Sequence, residues 1–473
     1  MLTWGEMVNI KPYEHQTEEA AKMYQRAIGY ANFGEMGTGK TLAAIMAANA
    51  LVTRQSVSKA LVVCPVSLKY NWKNEVEKHS SVKWDVKVLE GSSTKRMEQI
   101  DKIMNAEASN PQLLIVNYDS LPRLYKHLKK FDPELVIADE CHAIKSPRIK
   151  RTKALKAIKS KYKFAMTGTP LVCSPLDMWS VFDWLRPNHL QGNFYAFRNR
   201  YCVMYTGAGF PMVTSYKNLD ELKEKVDAFS CRRLKSECLD LPEKSFTEIK
   251  VDMTAHERRA YNDMALHLIA EVDAEKDPVV ASTILTKLLR LQQITGGTVT
   301  DGDRTLEIAG DHSKISALKD LLESLEDQKV VVFARFTAEV EMIRRLCVKM
   351  DRKRHVMIGD TKEKDRQSLV EEFQISNGSN DIIIANVQVG GLGITLTESS
   401  HCIYFSNTWS LGDRLQSQDR LHRIGQQNRV TYYDIVANGT IDEYILKVLN
   451  KKAMLSDKVT GDDLRKMVFM VDK

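Results

Sequence analysis

Short runs of apolar, mostly β-branched residues recur along this chain, each followed by a longer stretch in which apolar positions repeat at helical spacing. Three lie in the first part of the chain: Leu61-Val-Val-Cys, Leu113-Leu-Ile-Val and Leu135-Val-Ile-Ala. Three more, Val330-Val-Val-Phe, Ile382-Ile-Ile-Ala and Cys402-Ile-Tyr-Phe, lie in the second. A run that is apolar at every position is a strand buried on both faces, and strand–helix alternation places such strands in parallel sheets covered by helices. The pattern predicts an α/β chain with two parallel-sheet lobes. Across residues 188–310 it gives way to charged helical segments, 218–228 and 255–275 among them, which predicts a mainly helical insertion. Gly296-Gly297 and Asp301-Gly-Asp mark a loop or hairpin and place the start of the second lobe near Asp311. Ile441, Tyr444, Ile445, Val448 and Leu449 share one face of a final helix, expected to brace the lobes. The expected divisions are therefore 1–187, 188–310, 311–440 and 441–473.

Composition changes this picture only at the margins. The chain has 473 residues, more than one ordinary core needs. With 43% hydrophobic and 27% charged residues, it has the make-up of a soluble globular protein, not of a disordered one. A net charge of +7 favours a polyanionic partner, because basic surface gains free energy by releasing counterions from phosphates. The eight cysteines include no C-x-x-C pair and read as reduced thiols instead of zinc or redox sites. The first residues lack the basic and apolar regions of a signal, and no run of 18 uncharged apolar residues occurs. The expectation is a protein with no membrane association, cytoplasmic or nucleoid-associated.

Chemistry enters with Gly34-Glu-Met-Gly37-Thr38-Gly39-Lys40-Thr41, which fits the phosphate-loop pattern and leads into a helical run. Its glycines let backbone N–H groups curl around phosphate oxygens at the positive end of a helix dipole. Lys40 would neutralise the β- and γ-phosphates of ATP, and Thr41 would hold Mg2+. The apolar run at Leu135 delivers Asp139 and Glu140 at its carboxyl end, the first placed for Mg2+ and the second able to polarise the attacking water. Cys141 and His142 are adjacent but have no partners at ligand spacing, so a metal site is rejected. His142 instead reads as a hydrogen-bonding link from the ATP site.

Four motifs, the phosphate loop, Asp139-Glu-Cys-His142, Thr167-Gly168-Thr169-Pro170 and Gln416-Ser-Gln-Asp-Arg420-Leu-His-Arg423-Ile-Gly-Gln426, occur in the order of superfamily 2 helicases. Their wording, with Met178-Trp-Ser following the third, resembles the Swi/Snf-related DNA translocases over nearly the whole chain, from Lys11-Pro-Tyr-Glu-His-Gln16 to Thr440-Ile-Asp-Glu-Tyr. That resemblance implies two RecA-like lobes and an ATP-driven motor, monomeric, on double-stranded DNA. It also implies roles for matching residues. Gln16 falls where a glutamine meets adenine, and Gly393 where a glycine meets nucleotide. Pro65, Ser67, Lys69, Trp72, Gly390, Gly391 and Trp409 fall at DNA-contact positions. His142, Thr167, Gly168, Thr169 and Gln416 fall where the ATP and DNA sites are coupled. Arg420 and Arg423 match two arginines that reach the γ-phosphate, where a guanidinium would stabilise charge developing in the transition state. Departures are Cys173 and Thr395, each where an asparagine is usual, and Ser410-Leu411 in place of Asn-Pro. The short insertion resembles a minimal motor of bacterial or viral type.

Residues 145–163 carry nine basic and no acidic side chains, with Leu155, Ile158 and Tyr162 read as an apolar stripe. Such a segment is either a solvated helix face or a set of phosphate contacts without sequence readout. Two other functions stay open beside the duplex translocase: a strand-separating helicase, which needs a wedge, and a nucleotide-switched scaffold. The set Lys40, Asp139, Glu140, Arg420 and Arg423 argues against the scaffold, which needs no hydrolytic arginines.

Overall fold

The computed structural model describes residues 3–168, 175–190, 192–205, 212–274, 280–301, 304–359, 361, 363–376, 378, 380–387 and 394–460. The chain divides into two compact units, Met1–Leu239 with Met454–Lys473, and Asp240–Ala453. By compactness the division falls between Leu239 and Asp240.

In the first unit the strands are β1 (Tyr30–Asn32), β2 (Lys59–Cys64), β3 (Asp85–Val88), β4 (Gln112–Asn117), β5 (Leu135–Asp139) and β6 (Tyr162–Met166). A small antiparallel pair, β7 (Cys202–Tyr205) and β8 (Met212–Tyr216), precedes β9 (Ser230–Cys231). Among the described residues, one sheet runs β3-β4-β2-β5-β6-β1-β9 with every pairing parallel. The predicted runs at Leu61, Leu113 and Leu135 lie in β2, β4 and β5, and their side chains alternate between two cores. Leu61, Val63, Leu114, Val116 and Val136 pack on one face; Val62, Leu113, Ile115, Leu135 and Ile137 pack on the other. Burial on both faces is why these strands show no polar alternation.

The second unit holds β10 (Lys244–Val251), the antiparallel hairpin β11 (Thr298–Asp301) and β12 (Arg304–Glu307), then β13 (Val330–Ala334), β14 (Arg354–Met357), β15 (Ile382–Asn386), β16 (His401–Tyr404) and β17 (Val430–Ala437). Its main sheet is also parallel, in the order β10-β17-β16-β13-β15-β14. The hairpin expected at Asp301 is present, and the helices Leu219–Asp227 and Ala255–Ala274 form where charged helical segments were expected.

Three expectations need correcting. Segment 188–310 does not stand apart, because β9 extends the first sheet and β10 the second. Tyr162 opens strand β6, whereas the basic helix is Lys150–Ala157; Leu155 and Ile158 therefore pack on one face of the first sheet and Tyr162 on the other. The final helix, Ile441–Thr460, buries Ile441, Ile445, Leu446 and Leu449 against Leu291, Leu411 and Val436, but Tyr444, expected on the same face, is exposed; from Met454 onward the helix is counted with the first unit. Buried Lys314 anchors that helix through Asp442 Oδ2 at 2.5 Å, with Thr295 Oγ1 donating to the other oxygen at 3.1 Å. Among the described residues no helix is long and apolar enough to cross a membrane.

A second buried ion pair fixes the helix Leu411–Gln418. Arg414 donates from Nη1 and Nη2 to the two oxygens of Asp434 on β17, at 2.6 and 2.8 Å, and its guanidinium lies 3.3 Å from the Tyr404 ring centroid. Asn407 Nδ2 adds a 2.8 Å bond to Asp434. Truncating Arg414 would strand a buried carboxylate. Arg414→Ala is expected to destabilise the second unit by about 3–5 kcal/mol, measured as a lower urea midpoint; a midpoint equal to that of the wild type would show the pair to be dispensable.

Candidate nucleotide site

The first unit brings its candidate residues together at the carboxyl ends of β1, β5 and β6. After β1 the chain enters the glycine loop, with Gly37 and Gly39 at φ 83° and 85° in the left-handed region, and helix α2 (Lys40–Thr53) begins at Lys40 and Thr41. A side chain at Gly39 would be strained by the backbone angle, and its Cβ, 2.0 Å from Gln16 Nε2, would displace the Gln16 amide. Gln16 lies on α1 (Glu14–Gln25), preceded by the first 3-10 turn (Trp4–Met7), and is buried with its Nε2 3.4 Å from Thr38 O. His15 reaches the same carbonyl at 2.9 Å. Lys40 Nζ folds back to donate to Glu35 O at 2.9 Å, and buried Thr38 donates to that carbonyl at 2.9 Å.

Strand β5 ends on Asp139, and the chain turns at Glu140 with φ 50° and ψ 51°, a left-handed conformation uncommon for a residue with a side chain. That turn aims the Glu140 carboxylate at β6 and its continuation. Thr167 Oγ1 donates to Glu140 Oε2 at 2.9 Å, and His142 Nδ1 lies 3.2 Å from the same oxygen and 3.3 Å from Thr167 Oγ1. The candidate coupling residues His142 and Thr167 thus both contact the Glu140 carboxylate. Gly168 follows against the phosphate loop, where a Cβ would come within 2.5 Å of Met36 Cγ and 3.5 Å of Lys40 Nζ.

Electrostatics separates the two carboxyls. Burial and the neighbouring Glu140 charge push Asp139 above its ordinary range, against the Trp72 hydrogen bond and the Lys40 charge. Burial also opposes ionisation of Glu140, yet the His142 hydrogen bond and charge, with Lys40 and Thr167, outweigh it and hold the carboxyl low. Glu140 is therefore the more readily ionised of the two, the state in which a carboxyl can accept a proton. Cys141 is buried beside them, its thiol pushed up by burial and the two carboxylates.

The DNA-contact candidates divide. Pro65 and Ser67 flank the exposed tip of a turn after β2, at Val66. Lys69 and Trp72, at the start of α3 (Lys69–His79), are instead buried. Trp72 is only 1% exposed, and its indole Nε1 donates to Asp139 Oδ2 at 2.8 Å, so it is not a surface contact for nucleic acid. Thr169, Gly390, Gly391 and Gly393 lie outside the described residues.

Arg420 and Arg423 lie in the second unit beyond the end of the helix Leu411–Gln418, on a turn, not as an i, i+3 pair on a helix. The turn is built from the residues between and after them. Leu421 and His422 are buried, His422 Nε2 bonding to Pro242 O at 2.7 Å, and Leu396 N donates to Arg420 O at 2.8 Å. Gln426 Nε2 ties the turn down through Thr397 O and Ser399 O, both at 3.0 Å. Arg423 Nη1 donates to Thr395 Oγ1 at 2.9 Å, so the threonine found in place of the usual asparagine has a partner. Gln416 and Trp409 are half-buried nearby in sequence, Trp409 with its ring 6.1 Å from that of Tyr444.

Sequence reasoning passed over one element. Residues 229–233 run alongside residues 31–35, with Ala31, Phe33 and Glu35 N–H groups donating to Phe229, Cys231 and Arg233 carbonyls at 2.8–2.9 Å. Arg232 Nη1 reaches Phe33 O at 3.0 Å and Gly168 O at 3.2 Å, and Lys235 N donates to Glu35 Oε2 at 2.7 Å. This strap joins the entry of the phosphate loop to the threonine motif. Its signal in the sequence is the Arg232-Arg233 doublet after Phe229-Ser-Cys.

A glycine loop running into a helix, beside an acidic pair at the end of a parallel strand, defines the first unit as a phosphate-loop nucleotide-binding core. The chain belongs to the SNF2-related family: the family model described as SNF2-related domain matches residues 15–297, and that described as helicase conserved C-terminal domain matches 313–425. Its two parallel sheets are the RecA-like lobes of that family. Relatives include a protein of Mycoplasma genitalium described as an uncharacterized ATP-dependent helicase, 30% identical over 96% of this chain and 43% of its own. The TATA-binding protein-associated factor MOT1 of Saccharomyces cerevisiae is 25% identical over 90% of this chain and 26% of its own. The chain thus spans less than half the length of either. Among solved structures, the Sulfolobus solfataricus SWI2/SNF2 ATPase core in complex with dsDNA is similar at 25% identity, with a TM-score of 0.45 over 96% of this chain and 94% of that one.

Proposed function

We propose that the chain is a DNA-stimulated ATPase that works as a monomeric translocase on double-stranded DNA without separating the strands. The observation that carries the catalytic part is the cluster of Lys40, Glu140, His142, Thr167 and Gly168 around the phosphate loop, with Glu140 ionised among hydrogen-bond donors. These residues fit ATP with Mg2+: a Cβ at Gly34 or Gly39 would crowd Thr38 or Gln16, so the tight loop needs its glycines, and Asp139 is a buried carboxyl whose charge a cation would stabilise. Thr41 and Asp139 would hold the ion, which when bound supplies positive charge to the β- and γ-phosphate oxygens. Glu140 accepts the proton of the attacking water. Thr167 and His142 orient that carboxylate. Arg420 and Arg423 supply guanidinium charge to the transferring phosphoryl group.

The track is proposed from charge and from relatives. The net charge of +7 favours a phosphate polymer, and the solved Sulfolobus solfataricus core is described as bound to dsDNA. Arg148, Lys150, Lys153, Lys159 and Lys161 of the basic segment are exposed, while Lys156 and Lys163 are engaged by Asp183 and Trp184 O at 2.6 and 2.9 Å. Exposed lysines and arginines of this kind grip backbone phosphates without reading bases, so affinity should fall steeply with salt. The test compares ATPase rates with duplex DNA, single-stranded DNA and RNA at matched salt, together with displacement of the third strand of a triplex. Duplex is expected to stimulate most, and the triplex strand to leave only with ATP. Vigorous unwinding of a plain forked duplex, or stimulation by RNA alone, would replace this reading with that of a strand-separating helicase.

A further inference from the structure

We propose that Trp72 is a positioning residue for the Asp139 carboxylate, fixing the plane in which that group meets the divalent cation; this rests on the ATP–Mg2+ reading above. The carboxylate is held at both oxygens by donors from different elements. Oδ2 accepts the Trp72 indole N–H at 2.8 Å, and Oδ1 accepts the Glu140 backbone N–H at 2.9 Å. The Asp139 carbonyl is held separately by Tyr118 Oη at 2.7 Å. The terminal torsion of an aspartate is broad and nearly two-fold, so one donor leaves the carboxylate free to swing and two do not.

The choice of residue matters. An indole N–H is a donor only, so it holds the oxygen as an acceptor and has no second hydrogen-bonding state to offer. The ring is buried in the core cluster that also contains Cys64, Ile137 and Met166. Packing therefore sets where the donor points, and the carboxylate follows. Outer-shell donors of this kind orient metal-ligating groups, and losing one typically lowers metal affinity by about 10–100-fold. Trp72 touches no substrate in this scheme; it acts through Asp139.

The test replaces Trp72 by benzothienylalanine, in which sulfur substitutes for the N–H in a ring of nearly the same shape, and separately makes Trp72→Phe. Binding of a fluorescent non-hydrolysable ATP analogue is followed across a Mg2+ titration without nucleic acid, alongside thermal midpoints and affinity for duplex DNA. The Mg2+ concentration for half-maximal tight binding is expected to rise about tenfold to a hundredfold in both variants. Binding of the analogue in EDTA and affinity for duplex are expected to stay at wild-type values. A wild-type Mg2+ midpoint in the benzothienylalanine protein would reduce Trp72 to a core filler and end the proposal. Lower duplex affinity with an unchanged Mg2+ midpoint would restore the DNA-contact role instead. If the unsubstituted protein itself shows no Mg2+-dependent binding, the nucleotide reading falls and takes this proposal with it.

Discussion

Glu140→Gln is expected to keep ATP binding near the wild-type value and to lose about a hundredfold to ten-thousandfold in turnover. Glutamine matches glutamate in size, and its carboxamide oxygen still accepts the Thr167 hydroxyl, which donates to Glu140 Oε2 at 2.9 Å. The left-handed turn at residue 140 is unchanged, because it belongs to the backbone. What disappears is an ionised group able to take a proton. Lys40→Ala provides the contrast: it removes the cation from the phosphate loop, so both binding and turnover should fall. Fluorescent-nucleotide titrations and single-turnover hydrolysis separate the two variants. Wild-type hydrolysis in Glu140→Gln would show that the general base lies elsewhere.

Arg423→Ala is expected to cut DNA-stimulated turnover by about a thousandfold or more while leaving duplex affinity nearly intact. The structure gives a reason to trust the substitution as a local one. The turn that carries Arg423 is held by Gln426, by buried Leu421 and His422, and by the Leu396 N–H to Arg420 carbonyl bond, none of which uses the Arg423 side chain. The bond to Thr395 Oγ1 is lost with the guanidinium. Arg420→Ala should behave alike, since the main-chain carbonyl that Arg420 gives to the turn is kept. Stimulated ATPase rates and filter binding to duplex, measured on both single mutants, decide the matter; wild-type stimulated turnover in both removes the arginines from the chemistry.

Much of this fold was legible because its central strands are buried on both faces, and continuous apolar runs such as Ile382-Ile-Ile leave little else for the chain to form. Edge strands carry no such mark. Strand β10 reads Lys-Ser-Phe-Thr-Glu-Ile-Lys-Val and lies at the rim of its sheet with Phe246 exposed, so it passed for part of an insertion. Strand β9 is two residues long, too short for any periodicity. At the site, residues that act through charge or backbone freedom announced themselves by type: the loop glycines, Lys40, and the acidic pair. Trp72 did not, because an aromatic in a DNA-contact motif and an aromatic reaching inward to a carboxylate look alike along the chain. The Arg414–Asp434 pair was equally hidden, as 20 residues separate partners that only the fold of the sheet brings together.

The strap formed by residues 229–233 also governs how the molecule can be dissected. A fragment ended at residue 187 would keep the phosphate loop and the acidic pair, yet it would strip β1 of its outer neighbour and leave the N–H groups of Ala31, Phe33 and Glu35 without the carbonyls that now accept them. An open parallel edge of that kind is a template for pairing with another chain. It would also lose the Arg232 link between Phe33 and Gly168. A fragment meant to report on nucleotide binding by the first unit therefore has to keep residues 229–235, and aggregation of one cut before them would be a property of the cut.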